Sequence, residues 1–332
     1  MAKKPERDDL HGLLLFAKEV GPSSNQALQE LRRQLGWVKA GHAGTLDPAA
    51  SGLLLVLLGA AVKLVPYLAD LEKEYIGVVR FGAETDTQDA AGSVTRTAPW
   101  EHLGPERIQA GMATFLGASL QEPPMYSALQ VGGKRLYDIA RAGEQVERIS
   151  RRIDVSEMRL LDWRPPDARF VVRVGSGTYV RTLCQDLGLR CDSAAHLAAL
   201  SRTAIGPFRL ENALTVGDLA ALAPGAAPPL VRLAEALAHL PAVLLAEREA
   251  RGVLDGRAPV LGKGDRFIFS GLRVDSVQAG LRENKSVPFS VPVDVEPGST
   301  FRLVDGSGRL LAVARLVAPN APVEFLRVFK EP

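Results

Sequence analysis

The N-terminal part of the chain alternates between apolar runs that predict buried strands and amphipathic segments that predict helices. Residues 13–16 and 53–58 are uninterrupted apolar runs, which are typical of strands buried on both faces. Between them, leucines recur at helical spacing after Ser23, which forms a capping-box pattern with Gln26, and Gly36 ends the predicted helix. Strands and helices that alternate in this way predict the α/β (α+β) class with a mixed sheet.

The same reasoning predicts further elements as far as residue 187. Strands are predicted at 74–81, 152–161 and 169–175, and helices at 105–117, 134–143 and 179–187. Residues 82–89 are predicted to be a polar loop. Residues 123–129 are predicted to be extended, because each proline disfavours the helical conformation in the residue before it.

The composition changes after about residue 215. Residues 219–245 are rich in alanine, leucine and proline, which predicts a helix with a linker, whereas short strands with glycine turns are predicted from Gly252 onward. The pair Asp305-Gly306 between apolar runs is a hairpin signal. We expect a large domain over 1–215 with an insertion at about 120–150, a helical linker over 216–250, and a small β-rich domain over 251–332.

Composition narrows the class of protein without identifying it. The chain has 332 residues, of which 46% are hydrophobic and 23% charged, as in ordinary globular proteins. No apolar run approaches the ~20 residues of a membrane helix, and the charged start lacks a signal-peptide core. We therefore expect a cytoplasmic protein with no membrane association. Cys184 and Cys191 have no zinc-site spacing and are predicted to be reduced thiols.

Charge is distributed unevenly although the net charge is only +2. Residues 134–152 contain six cations and three anions, a local excess of three positive charges. Such a segment can contact phosphates even in a nearly neutral chain, although taken alone it is more typical of an ordinary solvated surface. The cations are Lys134, Arg135, Arg141, Arg148, Arg151 and Arg152.

The strongest chemical signal lies at residues 41–52. One carboxylate, Asp47, stands between a glycine-rich turn and Pro48, directly before the buried run at 53–58. Pro48 disfavours a helical conformation at Asp47, so the carboxylate is expected on a stiff loop at the end of a strand. A lone aspartate before proline is also a common turn residue, and on these residues alone that alternative stays open.

Residues 41–52 resemble the catalytic motif of pseudouridine synthases, and in detail that of the TruB family of bacterial tRNA pseudouridine synthases. Four more segments resemble that family in the same order, at 73–87, 124–137, 177–183 and 195–202. The resemblance covers about residues 10–210. It implies an isomerase that converts uridine 55 in the T arm of tRNA to pseudouridine. It also implies a monomer that needs no cofactor, metal or protein partner.

The resemblance assigns the catalytic roles to three residues. Asp47 is implied to be the nucleophile, without a decision on which carbon it attacks. Arg181 is implied to be its partner, because a guanidinium can orient a carboxylate, with a phosphate contact or a surface charge at the start of a helix as the alternative. Tyr75 is implied to stack on the flipped base and to serve in proton transfer, although tyrosines on strands are usually packing residues.

The remaining implied residues would bind the substrate. His42 is expected against the RNA rather than as a general base, with a surface hydrogen bond as the alternative. Tyr179 and Leu200 are expected to line the pocket, with core packing as the alternative. The full implied binding set is His42, Tyr75, Tyr179, Leu200, Lys18, Lys134 and Arg135.

Two parts of the chain match the family less well. The family usually has Lys-Pro-x-Gly near its N-terminus, where this chain has Lys18-Glu19-Val20-Gly21. The predicted C-terminal domain is similar to the PUA-type RNA-binding domain that ends many TruB proteins. Two other functions stay open, namely a tRNA-binding or tRNA-folding module without catalysis, and a guide-RNA-dependent relative that works with partner proteins.

Overall fold

A computed structural model gives the fold for most of the chain. It describes residues 9–36, 38–127, 130–131, 134–135, 146, 148–223, 226–261, 267–268, 296–318 and 320–330. The strands are β1 Gly12–Lys18, β2 Ala40–Ala43, β3 Ala50–Leu58, β4 Lys73–Phe81, β5 Ala83–Thr85, β6 Val94–Thr97, β7 Gly117–Gln121, β8 Gln130–Val131, β9 Lys134–Arg135, β10 Arg151–Arg164, β11 Asp167–Val174, β12 Ala195–Ile205, β13 Phe208–Arg209, β14 Ala242–Leu244, β15 Phe267–Ile268, β16 Thr300–Val304, β17 Leu310–Arg315 and β18 Glu324–Val328.

The helices are fewer and mostly short. The α-helices are α1 Ser24–Gln34, α2 Val65–Ala69, α3 Pro105–Ala113, α4 Val180–Arg190, α5 Val216–Ala220, α6 Leu233–Ala236 and α7 Glu247–Leu254. Two 3₁₀ helices lie at Gly59–Leu64 and Leu210–Asn212.

A mixed sheet of nine strands forms the large N-terminal part. Its main path runs β1-β3-β12-β4-β11-β10-β7, with β2 paired to β3 and β13 paired to β12. The pairing of β12 with β3 is parallel and the other pairings are antiparallel. The central strand β4 buries every second residue, as a strand with two different faces must. This confirms the predicted α/β class with a mixed sheet.

Two helices cover the face of the sheet that β4 buries. Ile108 of α3 and Leu183 of α4 share one apolar cluster with Tyr75 of β4 and Phe170 of β11. Ile108 and Phe170 are completely buried, so this cluster is a packed core. Helix α4 is therefore held rigidly against the sheet at the level of Tyr75.

A second sheet of five strands lies in the C-terminal part, in the order β15-β14-β16-β17-β18. Its own core includes Phe301 and Leu311, which are completely buried. A further cluster joins this sheet to the N-terminal part, because Val313 and Phe329 pack in the same cluster as Leu55 of β3. The predicted domain boundaries and the similarity to PUA domains stay predictions.

Several elements confirm the sequence-based expectations. Ser23 and Gln26 form a reciprocal capping box, in which the backbone N–H of Gln26 donates to Ser23 Oγ at 3.2 Å and the backbone N–H of Ser23 donates to Gln26 Oε1 at 2.8 Å. The Asp305-Gly306 turn joins β16 to β17, which are antiparallel. Both cysteines are buried and form no disulfide.

Other expectations are wrong. The segment after Gly252 does not start with a strand, because residues up to Leu254 complete α7; one glycine inside a helix was mistaken for a turn. The loop at 82–89 contains β5, which pairs with β6. Helix α3 ends at Ala113, four residues before Gly117, which has a φ of +88°.

Two segments have a different secondary structure from the one predicted. Lys134–Arg135 forms a strand with Gln130–Val131 rather than the start of a helix, and residues 136–143 lie outside the described residues. The described residues of 219–245 contain the end of α5, helix α6 and the strand Ala242–Leu244 in place of one helix and a linker. Among the described residues, no helix is long and apolar enough to cross a membrane.

Candidate active site

Asp47 lies on the short loop between β2 and β3. Gly44 adopts a φ of +77°, which turns the chain out of β2, and the backbone N–H of Ala50 closes a turn onto the Asp47 carbonyl at 3.1 Å. The loop is tied to the β1–α1 connection, because the Gly21 N–H donates to the carbonyl of Pro48 at 2.8 Å. The predicted stiff loop at a strand end is confirmed.

Two buried side chains anchor the loop from beneath. Ser24 Oγ donates to the Leu46 carbonyl at 2.9 Å and accepts the Leu46 N–H at 2.8 Å. Arg202, of which only 1% is exposed, donates to the carbonyl of Gly44 and to that of Leu53, each at 2.8 Å. Buried polar groups satisfied in this way fix backbone positions, so the loop is held on both sides of Asp47.

Arg181 meets the Asp47 carboxylate. Its Nε lies 2.9 Å from Asp47 Oδ2, and the Arg181 side chain is 6% exposed whereas that of Asp47 is 46% exposed. The other two nitrogens donate to the carbonyls of Thr87 at 3.0 Å and Tyr126 at 2.9 Å. Each of the three nitrogens of the buried cation thus has a partner, while the carboxylate is half-exposed.

Asp89 is a second carboxylate that the sequence interpretation missed. Its Oδ2 lies 3.7 Å from Nη1 of Arg181, and only 8% of Asp89 is exposed. Thr87 Oγ1 donates to Asp89 Oδ1 at 2.6 Å, and the Ala91 N–H donates to the same oxygen at 3.0 Å. The aspartate was visible in the segment 82–89, but the segment was interpreted only as a polar loop.

A small cleft opens above this ion pair. Asp47, Asp89, Arg181 and Leu200 line it together with alanines of the neighbouring segments. Leu200 lies on β12, where it is paired with Ala50 in the parallel register. The cleft therefore combines one half-exposed carboxylate, one buried cation and an apolar wall.

Tyr75 packs beneath the cleft rather than in its lining. It is 9% exposed and shares an apolar cluster with Leu46, which precedes Asp47 in the loop, and with Ala50, the first residue of β3. The guanidinium carbon of Arg202 lies 6.0 Å from the centroid of the Tyr75 ring. Tyr75 is thus close to the loop, and its roles in stacking and proton transfer stay predictions.

Tyr179 lies at the start of the helix that carries Arg181. Its backbone N–H donates to Gln121 Oε1 at 2.8 Å, and its carbonyl accepts from Gln121 Nε2 at 3.1 Å. Gln121 thereby fixes the entry to α4. The Tyr179 side chain is half-buried and does not line the cleft, so its predicted contact with substrate stays a prediction.

His42 lies on β2, opposite Val56 of β3. It is half-buried, and its Nδ1 has no hydrogen-bond partner among the described residues. Burial, and then the nearby Arg202 cation, lower the pKa of His42, which favours the neutral imidazole at neutral pH. Its predicted contact with RNA stays a prediction.

Lys18 lies in the interior although it was predicted to bind substrate. It is 2% exposed, and its Nζ donates to the carbonyls of Glu19 at 2.8 Å and Ala50 at 2.7 Å. Burial lowers the pKa of Lys18, and the charge of Asp47 opposes that shift. These contacts place Lys18 against the first residue of β3, and its predicted contact with substrate stays a prediction. The side chains of Lys134 and Arg135, also predicted to bind substrate, lie outside what the structure describes.

The chain is similar to known protein families and to curated relatives over most of its length. Residues 32–180 match the family model of the TruB family pseudouridylate synthase N-terminal domain, and residues 181–227 match the tRNA pseudouridylate synthase B C-terminal domain. The tRNA pseudouridine synthase B of Symbiobacterium thermophilum is 42% identical over 78% of this chain and 87% of its own length. That of Cupriavidus metallidurans is 39% identical over 93% of this chain and 92% of its own length.

Solved structures agree at the level of the fold. A chain of the Cbf5-Nop10-Gar1 complex matches with a TM-score of 0.71 at 23% identity, over 96% of this chain and 85% of that chain. A chain of an H/ACA RNP bound to a substrate RNA containing 2'-deoxyuridine matches with a TM-score of 0.70 at 21% identity, over 97% of this chain and 86% of that chain.

The sheet, the aspartate loop and these matches define the class of the protein as a pseudouridine synthase, which is an isomerase. Within that class, the chain belongs to the TruB family. The resemblance inferred from the sequence motifs is confirmed.

Proposed function

We propose that the chain converts uridine 55 in the T arm of tRNA to pseudouridine, with Asp47 as the nucleophile. The relatives named tRNA pseudouridine synthase B support tRNA as the substrate, and position 55 in the T arm is the finer part of the proposal. The observation that carries the role of Asp47 is its carboxylate, half-exposed in the cleft and ion-paired to the buried Arg181.

The reaction breaks the bond between the uracil nitrogen and the ribose and rejoins the base through carbon. Reactant and product are isomers, so no oxidant, reductant or water is consumed. A carboxylate that adds to the nucleotide and later leaves satisfies this chemistry. Arg181 Nε lies 2.9 Å from Asp47 Oδ2, and this contact orients the half-exposed carboxylate in the cleft.

The uridine has to leave the helical stack before it can reach Asp47. Leu200 provides an apolar wall for the flipped base, and Tyr75 lies beneath the same loop. The neutral imidazole of His42 lies on the adjacent strand β2, where it can hydrogen-bond to RNA without adding charge. In this arrangement Tyr75 supports the base and takes part in removing its C5 proton.

The rest of the chain would bind the body of the tRNA. The cations of residues 134–152 lie in the insertion at about 120–150 and contact phosphates, and the domain over 251–332 provides a second RNA contact. The domain over 1–215 then carries catalysis and the segment 216–250 joins the two. The enzyme acts in the cytoplasm as a monomer, without a cofactor, a metal or a protein partner.

Pseudouridine mapping on an unmodified tRNA transcript tests this function. Wild type is compared with Asp47→Asn and with Asp154→Asn, which removes an exposed carboxylate on β10. Because pseudouridine has the mass of uridine, the product is detected after carbodiimide derivatisation. We expect one new pseudouridine at position 55 with the wild type and Asp154→Asn, and none with Asp47→Asn.

Filter binding of the same transcript separates catalysis from recognition. Asp47→Asn should bind tRNA as the wild type does, because the half-exposed carboxylate is not needed for phosphate contacts. If the folded wild type binds tRNA without forming product, the stand-alone enzyme is refuted in favour of a binding module or a guide-dependent relative.

A further inference from the structure

The loop between β5 and β6 contains a residue in an unfavourable backbone conformation. Gln88 has a φ of +64°, in the left-handed region that residues other than glycine rarely occupy. Its N–H donates to the Thr85 carbonyl at 3.1 Å, and its carbonyl accepts the N–H of Leu197 at 3.0 Å. Surrounding contacts must hold such a conformation in place.

The side chain of Gln88 is bonded to the helix that carries Arg181. Thr182 Oγ1 donates to Gln88 Oε1 at 2.8 Å, and Gln88 Nε2 donates to Gln185 Oε1. Thr182 and Gln185 both belong to α4, within its first two turns. The amide of Gln88 therefore joins the β5–β6 loop to this helix through both of its polar atoms.

Both neighbours of Gln88 face the guanidinium. The carbonyl of Thr87 accepts from Nη1 of Arg181 at 3.0 Å, and Asp89 Oδ2 lies 3.7 Å from the same nitrogen. The remaining edge of Arg181 holds Asp47 through Nε. A shift of the loop at Gln88 would move Thr87 and Asp89 together and release one side of Arg181.

We infer that Gln88 is a positioning residue, whose amide ties the β5–β6 loop to α4 and so sets the orientation of Arg181 toward Asp47. The inference rests on the proposed roles of Asp47 and Arg181. Glycine would adopt the same φ without steric cost, so the amide must be the contribution that glutamine makes here.

Single-turnover kinetics on the tRNA transcript test this role in the full-length protein. Gln88→Gly removes the side-chain amide and also the steric strain of the positive φ. Gln88→Met keeps the length of the side chain but removes its hydrogen bonds. Thr182→Val removes the hydroxyl of α4 that donates to Gln88. Gln34→Met is the matched control, because the side-chain amide of Gln34 donates to Glu30 within the same helix α1.

We expect both Gln88 variants to slow the chemical step about tenfold while tRNA affinity stays within about twofold. Thr182→Val should slow it less, and combining it with Gln88→Met should add little, since both changes remove the same contact. Gln34→Met should leave the rate unchanged. A purely structural role would instead lower the unfolding temperature and leave the chemical step of the folded fraction intact.

Three outcomes would overturn the inference. The first is an unchanged rate of the chemical step in both Gln88 variants. The second is a normal rate in Gln88→Gly together with a slow rate in Gln88→Met. The third is that the effects of Gln88→Met and Thr182→Val multiply in the double variant. Asp47→Asn, measured in parallel, separates the two proposals. Full activity of Asp47→Asn would refute the proposed site itself, whereas an inactive Asp47→Asn beside normal Gln88 variants would refute the role of Gln88 alone.

Discussion

Replacing Arg202 with methionine should loosen the Asp47 loop from below. Arg202 Nε and Nη2 donate to the carbonyls of Leu53 and Gly44, each at 2.8 Å, and Nη1 reaches the Thr45 carbonyl at 3.4 Å. These three carbonyls lie on both sides of Asp47, so one guanidinium holds the loop together. Methionine retains much of the volume and removes all three donors.

The expected loss follows from the two short hydrogen bonds. Each hydrogen bond from a charged donor contributes about 1.5–3 kcal/mol, so two contribute about 3–6 kcal/mol. Removing a buried guanidinium, of which only 1% is exposed, also relieves its desolvation and offsets part of this. We therefore expect Arg202→Met to lower the free energy of unfolding by about 2–4 kcal/mol, and a loop shifted by about 1 Å to slow the chemical step about a hundredfold.

Urea denaturation and single-turnover pseudouridine formation measure the two effects. Arg202→Lys should show an intermediate loss of about 1–2 kcal/mol, because one ammonium can replace only part of the donor set. Arg169→Met, which removes an exposed arginine of β11, is the control and should change neither quantity. If Arg202→Met loses no more stability than this control, the idea that Arg202 anchors the loop is refuted.

Three other measurements probe the same architecture. The pKa of His42 is lowered in the folded state, so the unfolded state takes up the proton first as the pH falls. The free energy of unfolding, measured by urea denaturation, should therefore decrease as the pH drops from about 7 through about 6.5. The decrease should be smaller in His42→Gln. Gly52→Ala would place Cβ 2.3 Å from the carbonyl oxygen of Arg202 at a φ of +111°, so it should lower the free energy of unfolding by about 3 kcal/mol or more in a thermal unfolding assay. The control Gly308→Ala has a φ of +81° and nothing within 4 Å of the added Cβ, so it should lose only about 1 kcal/mol. Burial raises the pKa of Cys184, so its thiol should resist alkylation in the folded protein and react only after unfolding, as mass spectrometry would show.

The sequence predicted correctly those elements that depend on contacts between residues close together in the chain. The capping box at Ser23 and the Asp305-Gly306 hairpin each depend on residues a few positions apart, and both are present. The helix ending at Leu254 was missed because Gly252 is a common turn residue that α7 tolerates. Strand β12 was not predicted at all, since pairing with β3 and β4 stabilises it more than its own composition does.

The site itself could be predicted only in part. Asp47 and Arg181 were found through motif resemblance, and their contact at 2.9 Å joins positions that no local rule brings together. Asp89 and Arg202 lay within segments already singled out, yet their roles depend on which side chains and carbonyls the fold places opposite them. The burial of Lys18 could not be predicted either, because an isolated lysine in a sequence is normally exposed.

Arg181 explains why these separate segments must act as one site. A buried cation is tolerated only when its donors are satisfied, and removing one partner leaves an uncompensated charge. Its partners are Asp47 on the β2–β3 loop, Thr87 on the β5–β6 loop and the carbonyl of Tyr126 after β7. A displacement of any one of these segments therefore changes the free energy of the other two contacts. The whole set fixes the position of the Asp47 carboxylate, so under the proposed mechanism changes at Gln88 should appear in the rate of the chemical step.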